Sequence, residues 1–288
     1  MRFLPSLKIA SELGKVPISL PVALSALLGY VMQEGSIGWG GRILFLGVLL
    51  FSCGSGALNQ YQERDIDPLM PRTRKRPIPS GRIAPKNALW IAGGFVVSGT
   101  VLLALAFPPA AVLISWLTLI WYNFIYTPLK KVTAFAVVPG SVTGALPPLI
   151  GWMAAGGSLT EGPILLVSAF FFLGQIPHFW LLLLMLGDEY SMAGLPNLKQ
   201  KMNDGQLRRI TFAWIITAMG AAFLVMWLVI KIQTLLFILL FYLFYLLLSV
   251  TMSFFAEKEL RIRSVFLKLN FLYLFMMIFL IADSLLRN

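Results

Sequence analysis

Long apolar runs recur along the chain and are separated by short polar stretches. A membrane-spanning α-helix needs about 20 predominantly apolar residues, and nine segments meet or approach that length. The pattern therefore predicts an all-α integral membrane protein, a single polytopic domain over residues 1–288 with nine spanning helices. The nine predicted helices are 16–33, 42–60, 88–107, 109–126, 133–155, 163–187, 209–230, 232–255 and 264–284.

Prolines and glycines interrupt the apolar runs at two places. Pro108 and Pro109 separate the third and fourth predicted helices, which indicates a tight turn at a membrane face. The fifth predicted helix contains Gly144, Pro148 and Gly151. Small residues permit close helix approach, and irregular backbone at membrane depth survives where it lines a cavity. The sequence leaves both interpretations open, a pocket wall or a packing kink.

Composition agrees with a bilayer as the solvent. The chain is 58% hydrophobic and 12% charged, against roughly 25% charged residues in a typical soluble domain. The lone cysteine, Cys53, excludes an intramolecular disulfide and a cysteine-rich zinc site. Because Cys53 lies in an apolar run, we interpret it as a small packing residue.

The formal net charge of +11 is distributed unevenly between the two predicted membrane faces. Of the 23 Lys and Arg residues, all but Arg42, Lys231 and Arg287 fall in the N-terminal tail or after the even-numbered helices. The positive-inside rule then predicts a cytoplasmic N-terminus and an external C-terminus. Since topology accounts for the positive charge, the sequence does not require a nucleic acid as a partner.

Carboxylates cluster at the end of the second predicted helix, which topology does not explain. Asn59, Glu63 and Asp67 recur at a spacing of four, so they share one face if the helix continues through them. Mg²⁺ favours such oxygen ligands, usually one or two carboxylates together with substrate phosphates. Asp65 lies off that face and is a candidate catalytic residue, acting either as a ligand opposite the other three or as a group that supports them. The alternative is a helix end that carries ordinary solvated charges.

A basic run follows these acids and completes a candidate diphosphate site. Arg72 and Arg76 are candidates both for binding the diphosphate and for assisting its departure, because guanidinium groups bind phosphate oxygens in pairs. Lys130 and Lys199, on the same predicted face, are further candidates for binding the diphosphate. Without the neighbouring acids, the same basic run would also be explained by the positive-inside rule alone.

A second acidic cluster ends the sixth predicted helix on the same face. It consists of Asp188, Glu189 and Tyr190. We predict that Asp188 and Glu189 are metal ligands and that Tyr190 contacts substrate. Two acidic clusters on one face can hold a metal–diphosphate pair between them.

The only histidine, His178, lies inside the sixth predicted helix. It precedes Asp188 by ten residues, which is about 15 Å along a helix axis. Intramembrane ionisable residues are costly and are usually functional. Three roles are open to His178: binding iron, moving a proton, or satisfying a backbone carbonyl beside Pro177.

These residues, in this order, resemble the UbiA superfamily of intramembrane prenyltransferases, and most closely its heme-acting branch. Asn59, Glu63 and Asp67 match the spacing of the first family motif, with Glu63 where the family usually has Asp. The resemblance runs from the second helix to the loop after the sixth, about half of the chain. Its further matches are 65–77, 126–127, 144–152, 175–180 and 188–196.

The resemblance implies a nine-helix bundle with a central cavity open to the cytoplasm. It also implies farnesyl diphosphate and heme b as substrates, Mg²⁺ as the metal, and heme O as the product. Catalysis would then serve terminal oxidase assembly in the bacterial plasma membrane, with heme A synthase and the oxidase assembly machinery as partners. His178 is expected to orient heme or bind its iron.

Three alternatives remain open. The first is a UbiA-type enzyme with another acceptor, such as a quinone precursor or chlorophyllide. The second is a transporter, which would carry its acids near the membrane midplane instead of at a face. The third is a heme-binding assembly factor without catalysis, which would not need the acidic motifs.

Overall fold

The computed structural model describes residues 7–196, 198, 201–255 and 261–287, and in these ranges the chain forms helices and turns without a strand. Nine helices within the described ranges are long and apolar enough to cross a membrane, which confirms the prediction. A short helix, α1 (Leu7–Leu13), precedes them. The nine are α2 (Val16–Glu34), α3 (Gly38–Gln62), α4 (Pro85–Ala106), α5 (Pro109–Leu129), α6 (Ala134–Ala154), α7 (Gly162–Met192), α8 (Asp204–Val229), α9 (Gln233–Phe255) and α10 (Ile262–Leu286).

Two helices extend further than hydropathy predicts. Helix α7 continues to Met192, so the second acidic cluster lies on its last turns and not in the following loop. Helix α8 begins at Asp204 because Asn203 and Gln206 form a capping box, in which each side chain accepts a hydrogen bond from the other residue's backbone N–H. The turn predicted between α4 and α5 is present at Pro108, whose extended backbone precedes Pro109.

Helix α2 contacts three other membrane-spanning helices: it packs against α3, α6 and α10. Each further helix packs against its neighbour in the chain, and α10 also contacts α7. Large apolar side chains point outward from this bundle, such as Phe241 of α9, which is 76% exposed. A bilayer accounts for that surface, and the protein is a multi-pass membrane protein.

Helices α2 and α6 cross in direct backbone contact. A Cβ atom on Gly151 would lie 1.7 Å from the carbonyl oxygen of Ala26, and one on Gly29 would lie 1.9 Å from that of Pro148. Only glycine fits at these two positions. The sequence left open whether this segment lines a pocket or packs closely against another helix. At Gly151 and Pro148 the structure shows close packing against α2.

Helix α5 changes its winding before its end. Residues Trp121–Tyr126 form a π-helical segment, an irregularity that is frequent at functional sites. The segment carries Asn123, which is fully buried. The Asn123 side chain accepts a hydrogen bond from Ser55 and donates one to Gln62, both on α3. The end of α5 is therefore fixed against the end of α3.

Candidate active site

The buried acids Glu63 and Asp67 lie at the basic end of the bundle, the end at which α3, α5, α7 and α9 finish. Asn59, Glu63 and Asp67 are all at most 5% exposed. Helix α3 ends at Gln62, and Asp67 starts a separate short 3₁₀-helix, Asp67–Leu69. The helix does not continue through the cluster, so the condition for one shared helical face is not met, although the turn still brings Asp67 back toward Glu63.

Hydrogen bonds hold Asn59 and Glu63 in place from three sides. The Asn59 amide nitrogen donates to Glu63 Oε1 at 2.9 Å and to Thr127 Oγ1 of α5 at 3.0 Å. Lys15, between α1 and α2, donates from Nζ to Asn59 Oδ1 at 2.6 Å. Lys130, just after α5, forms an ion pair with Glu63. The site therefore depends on residues that are far apart in the chain.

Arg76 connects the two site carboxylates. Its Nη1 lies 2.8 Å from each carboxylate oxygen of Asp67 and 3.6 Å from Glu63 Oε2. Thr73 fixes the same turn by donating from Oγ1 to the Asp67 carbonyl at 2.8 Å. Because one guanidinium nitrogen reaches both carboxylates, Glu63 and Asp67 face a common point.

Burial and charge act in opposite directions on these groups. Burial raises the pKa of Glu63, but Lys130 and Lys15 outweigh it and hold that pKa at about 2. Burial also raises the pKa of Asp67, and Arg76 opposes this only in part. For Lys15, burial and then repulsion by Arg76 lower the pKa to about 7. Glu63 is therefore a carboxylate at neutral pH, the form that binds a metal.

The oxygen donors of this cluster fit Mg²⁺. They comprise one amide oxygen and two carboxylates, all hard ligands, next to cations suited to a phosphate. Within the described ranges, no group of three or more His, Cys, Asp or Glu residues is placed to hold a metal alone. Two carboxylates are enough for Mg²⁺, which usually binds one or two of them and completes its coordination shell with substrate phosphates and water.

The second acidic cluster contacts the basic run through Glu189. Its Oε2 accepts a hydrogen bond from the backbone N–H of Arg72 at 3.3 Å. Asp188 and Tyr190 are its neighbours on the last turns of α7. This hydrogen bond joins the segment after α3 to the end of α7, while a metal–diphosphate pair held between the two acidic clusters stays a prediction.

A cavity of about 360 Å³ opens beside this cluster, and the cations Lys15, Arg72, Lys75 and Arg76 line it. The one acid in the lining, Glu12, is paired with Arg82. An anion with several oxygens suits such a lining.

Two predicted residues do not join the cluster. The Asp65 side chain is 81% exposed and its charged neighbour is Arg64, at 3.9 Å. The geometry gives no support for the catalytic role predicted for Asp65. Lys199 lies outside the described residues.

Lys15 and Thr127 belong to the site and were missed by the sequence analysis. Lys15 has a positive φ of 49°, the one such non-glycine residue among those described. Residues held in this region often occur at functional sites. The Tyr126–Thr127 pair was noted only as part of the family resemblance, and a lysine before the first spanning helix was attributed to topology.

His178 lies apart from the acids, inside α7. Its Nδ1 is 2.8 Å from Asn270 Oδ1 of α10, and its ring lies 4.9 Å from that of Phe266. The structure therefore separates a polar, charged region at the basic end from a deeper histidine surrounded by aromatic rings.

The fold matches a solved membrane protein. A UbiA homologue from Archaeoglobus fulgidus, bound to GPP and Mg²⁺, gives a TM-score of 0.71 over 96% of this chain and 99% of its own. The two sequences are 14% identical, so this likeness concerns the fold alone.

Sequence relatives are closer. A protoheme IX farnesyltransferase from Oleidesulfovibrio alaskensis is 40% identical over 190 residues, which are 66% of this chain and 67% of that protein. One from Geobacter sulfurreducens is 46% identical over 154 residues, 54% of this chain and 57% of that protein. The matched part thus spans between about half and two thirds of each relative. The model of the UbiA prenyltransferase family matches residues 11–277. The chain therefore belongs to the UbiA prenyltransferase family.

Proposed function

We propose that this prenyltransferase moves the farnesyl group of farnesyl diphosphate to a vinyl group of heme b, giving heme O. The observation that carries the proposal is the buried set of Asn59, Glu63 and Asp67, packed against Arg76 and Lys130 at one end of the bundle. Two relatives with the name protoheme IX farnesyltransferase, 40% and 46% identical, support heme as the acceptor.

The cationic cavity is the proposed diphosphate site. Arg72 and Arg76 line it and offer several N–H donors to phosphate oxygens. Lys15 lines it as well. Lys130 is not in the lining but forms an ion pair with Glu63 of the neighbouring carboxylate set. Lys199 is proposed as a further cation of this set. Each positive group stabilises the charge that builds on the departing diphosphate.

Asn59, Glu63 and Asp67 would hold Mg²⁺ from one side, and Asp188 and Glu189 of α7 from the other. When bound, the metal supplies Lewis-acid stabilisation of the diphosphate leaving group. The Archaeoglobus fulgidus homologue, which holds GPP and Mg²⁺ on the same fold, supports this choice of ligand. Arg76, which contacts both carboxylates, also lines the cationic cavity, so its guanidinium would pair with phosphate oxygens there.

The transfer itself follows from charge and the exclusion of water. The bond between farnesyl carbon 1 and the diphosphate oxygen breaks, and both electrons leave with the diphosphate. The heme vinyl group attacks the resulting allylic cation, and water adds to the new cation and loses a proton to give the hydroxyethylfarnesyl group. The apolar helices around the site keep water from the first cation, and Tyr190 on the last turn of α7 is proposed to contact the substrate.

We place this site on the cytoplasmic side of the bacterial plasma membrane, because most Lys and Arg residues lie at the same end of the bundle. The product would then be available to heme A synthase and to the terminal oxidase assembly machinery.

Mass spectrometry of extracted heme tests the proposed function. The purified protein is incubated with heme b, farnesyl diphosphate and Mg²⁺, and a heme with the added mass of one farnesyl group and one hydroxyl group is expected. Glu63→Gln, which removes one of the site's two buried carboxylate charges, should give little of it, and chelation of Mg²⁺ should abolish it. Heme that keeps its original mass would contradict the proposal.

A further inference from the structure

A hydrogen bond between two distant residues crosses the interior of the membrane domain. His178 of α7 and Asn270 of α10 are 92 positions apart, and His178 Nδ1 lies 2.8 Å from Asn270 Oδ1. With the amide oxygen facing it, Nδ1 carries the ring proton and donates, so the lone pair of the neutral imidazole stays on Nε2.

Aromatic rings fix the plane of the imidazole. Phe266, one turn before Asn270 on α10, lies 4.9 Å from the His178 ring at an angle of 41°. Phe179 meets the same ring edge-on at 5.8 Å. Together with the Asn270 bond, these contacts set both the orientation of the ring and the direction of Nε2.

Joining α7 to α10 does not require the Asn270 bond. One turn deeper along the same pair of helices, Tyr273 donates from Oη to the Gly174 carbonyl at 2.6 Å. The Tyr273 ring also fills the space over Gly174, where an added Cβ would meet it at 2.7 Å. The α7–α10 seam thus already has a polar link and tight packing next to His178.

Nε2 of His178 has no hydrogen-bond partner among the described residues, and the ring is only partly buried. Some side-chain nitrogen and oxygen atoms of the described residues are fully buried without a hydrogen-bond partner, but His178 Nε2 is not one of them. A nitrogen with a free lone pair that remains accessible inside the membrane is suited to bind a ligand atom from outside the chain.

We infer that Asn270 is a positioning residue that holds His178 in the tautomer and orientation in which Nε2 binds the iron of heme. The inference rests on the proposed function, which supplies heme as the ligand. A histidine that ligates a metal almost always donates its other N–H to an oxygen acceptor, and this bond both orients the ring and raises its basicity. Asn270 is such an acceptor, and it would set the distance between the bound porphyrin and the diphosphate site.

Titration with ferric heme b tests this inference without any prenyl donor. The full-length protein in detergent or nanodiscs is titrated, and the Soret band and the electron paramagnetic resonance spectrum report whether a histidine binds the iron. His178→Ala should lose the histidine signature. Asn270→Leu should weaken heme binding by about 10–100-fold, the usual effect of removing the partner of a metal-bound histidine.

Two further variants separate positioning from packing. Asn270→Asp keeps an oxygen acceptor for Nδ1, so it should retain the histidine signature even if Asn270→Leu does not fold. Tyr273→Phe removes the neighbouring α7–α10 hydrogen bond without touching His178, so its heme spectrum should equal that of the unmodified protein.

Three results would overturn the inference: heme bound without histidine in the unmodified protein, an unchanged spectrum and affinity in Asn270→Leu, or loss of the signature in Asn270→Asp. Each is distinct from failure of the proposed function. If histidine-bound heme forms but no farnesylated heme appears, the proposed function fails and the heme site stands. If farnesylated heme appears while Asn270→Leu binds heme with unchanged affinity and spectrum, the proposed function stands and the inference about Asn270 fails.

Discussion

Arg76 is the residue on which the two buried carboxylates of the site converge. It contacts both oxygens of Asp67 at 2.8 Å and approaches Glu63 at 3.6 Å. A cation is thus held where a divalent metal would meet the same oxygens. Lys130 and Lys15 keep Glu63 charged in spite of its burial, which would be costly for an unpaired ion.

Substituting the two nearby aspartates should separate a site residue from a surface residue. Asp67→Asn removes a fully buried negative charge, so we expect a loss in turnover on the order of 100-fold, comparable to the loss of other preorganised charge-stabilising groups. Asp65→Asn changes an exposed side chain and should leave turnover nearly unchanged. Formation of farnesylated heme is measured for both, with thermal unfolding as a control for folding. Equal losses in the two variants would contradict the assignment.

The spacing of Asn59, Glu63 and Asp67 correctly predicted that they lie close together, but the backbone that joins them is not the continuous helix that the spacing assumed. The four-residue spacing assumed a continuing helix, whereas the chain turns after Gln62 and returns through a 3₁₀-helix. Lys15 was beyond such reasoning, because its contact with Asn59 joins residues 44 positions apart. That contact depends on how the α1–α2 junction docks on α3, which a linear pattern does not contain.

At the scale of elements, hydropathy predicted where helices cross the membrane but not where they end. Helix α7 runs past the apolar region through Asp188 and Glu189, because helix ends are decided by backbone hydrogen bonds and caps and not by the bilayer. The capping box at Asn203 likewise starts α8 before its apolar part. Close crossings such as that of α2 and α6 were visible in the sequence only as small residues whose partners were unknown.

The α2–α6 crossing provides a test at this scale. Gly151→Ala places a methyl group 1.7 Å from the Ala26 carbonyl oxygen, so the two helices must separate. We expect a loss of about 3 kcal/mol in the free energy of unfolding, the upper range for overpacking a tight contact. Gly220→Ala in α8, where the added methyl group has open space, is the matched control. Thermal unfolding in the same detergent compares them.

A Gly151→Ala protein as stable as the Gly220→Ala control would show that α2 and α6 do not touch as described. A gain in stability is expected for Gly220→Ala but not for Gly151→Ala, because alanine is more favourable than glycine in a helix interior by about 1 kcal/mol of free energy.

At the scale of the whole molecule, the basic end of the bundle holds both the site and most of the positive charge. In the proposed mechanism topology and function are linked, because the same loops that would orient the chain also carry Arg72, Arg76 and Lys130 of the proposed diphosphate site. The sequence predicted this coincidence from the acids that topology left unexplained. Which helices surround the site could not be read from hydropathy, because α1, α3, α5 and α7 reach it from separate parts of the chain.

The orientation of the molecule can be measured with single cysteines. In a Cys53→Ser background, Ser36→Cys lies in the loop between α2 and α3, and Ala84→Cys lies at the opposite end, before α4. Both positions are exposed. In the proposed orientation the basic end faces the cytoplasm, so a membrane-impermeant maleimide should label Ser36→Cys in intact cells and Ala84→Cys only after permeabilisation. The opposite labelling pattern would place the site outside.

The most direct test of the central claim is a competition for the prenyl group. Farnesyl diphosphate carrying a label at carbon 1 is mixed with Mg²⁺, the unmodified protein and equal amounts of heme b and a quinone precursor. We predict that the label appears in the heme fraction and that Asp67→Asn protein transfers on the order of 100-fold less of it. Label found in the quinone precursor, or recovered only as unreacted farnesyl diphosphate, would contradict the account.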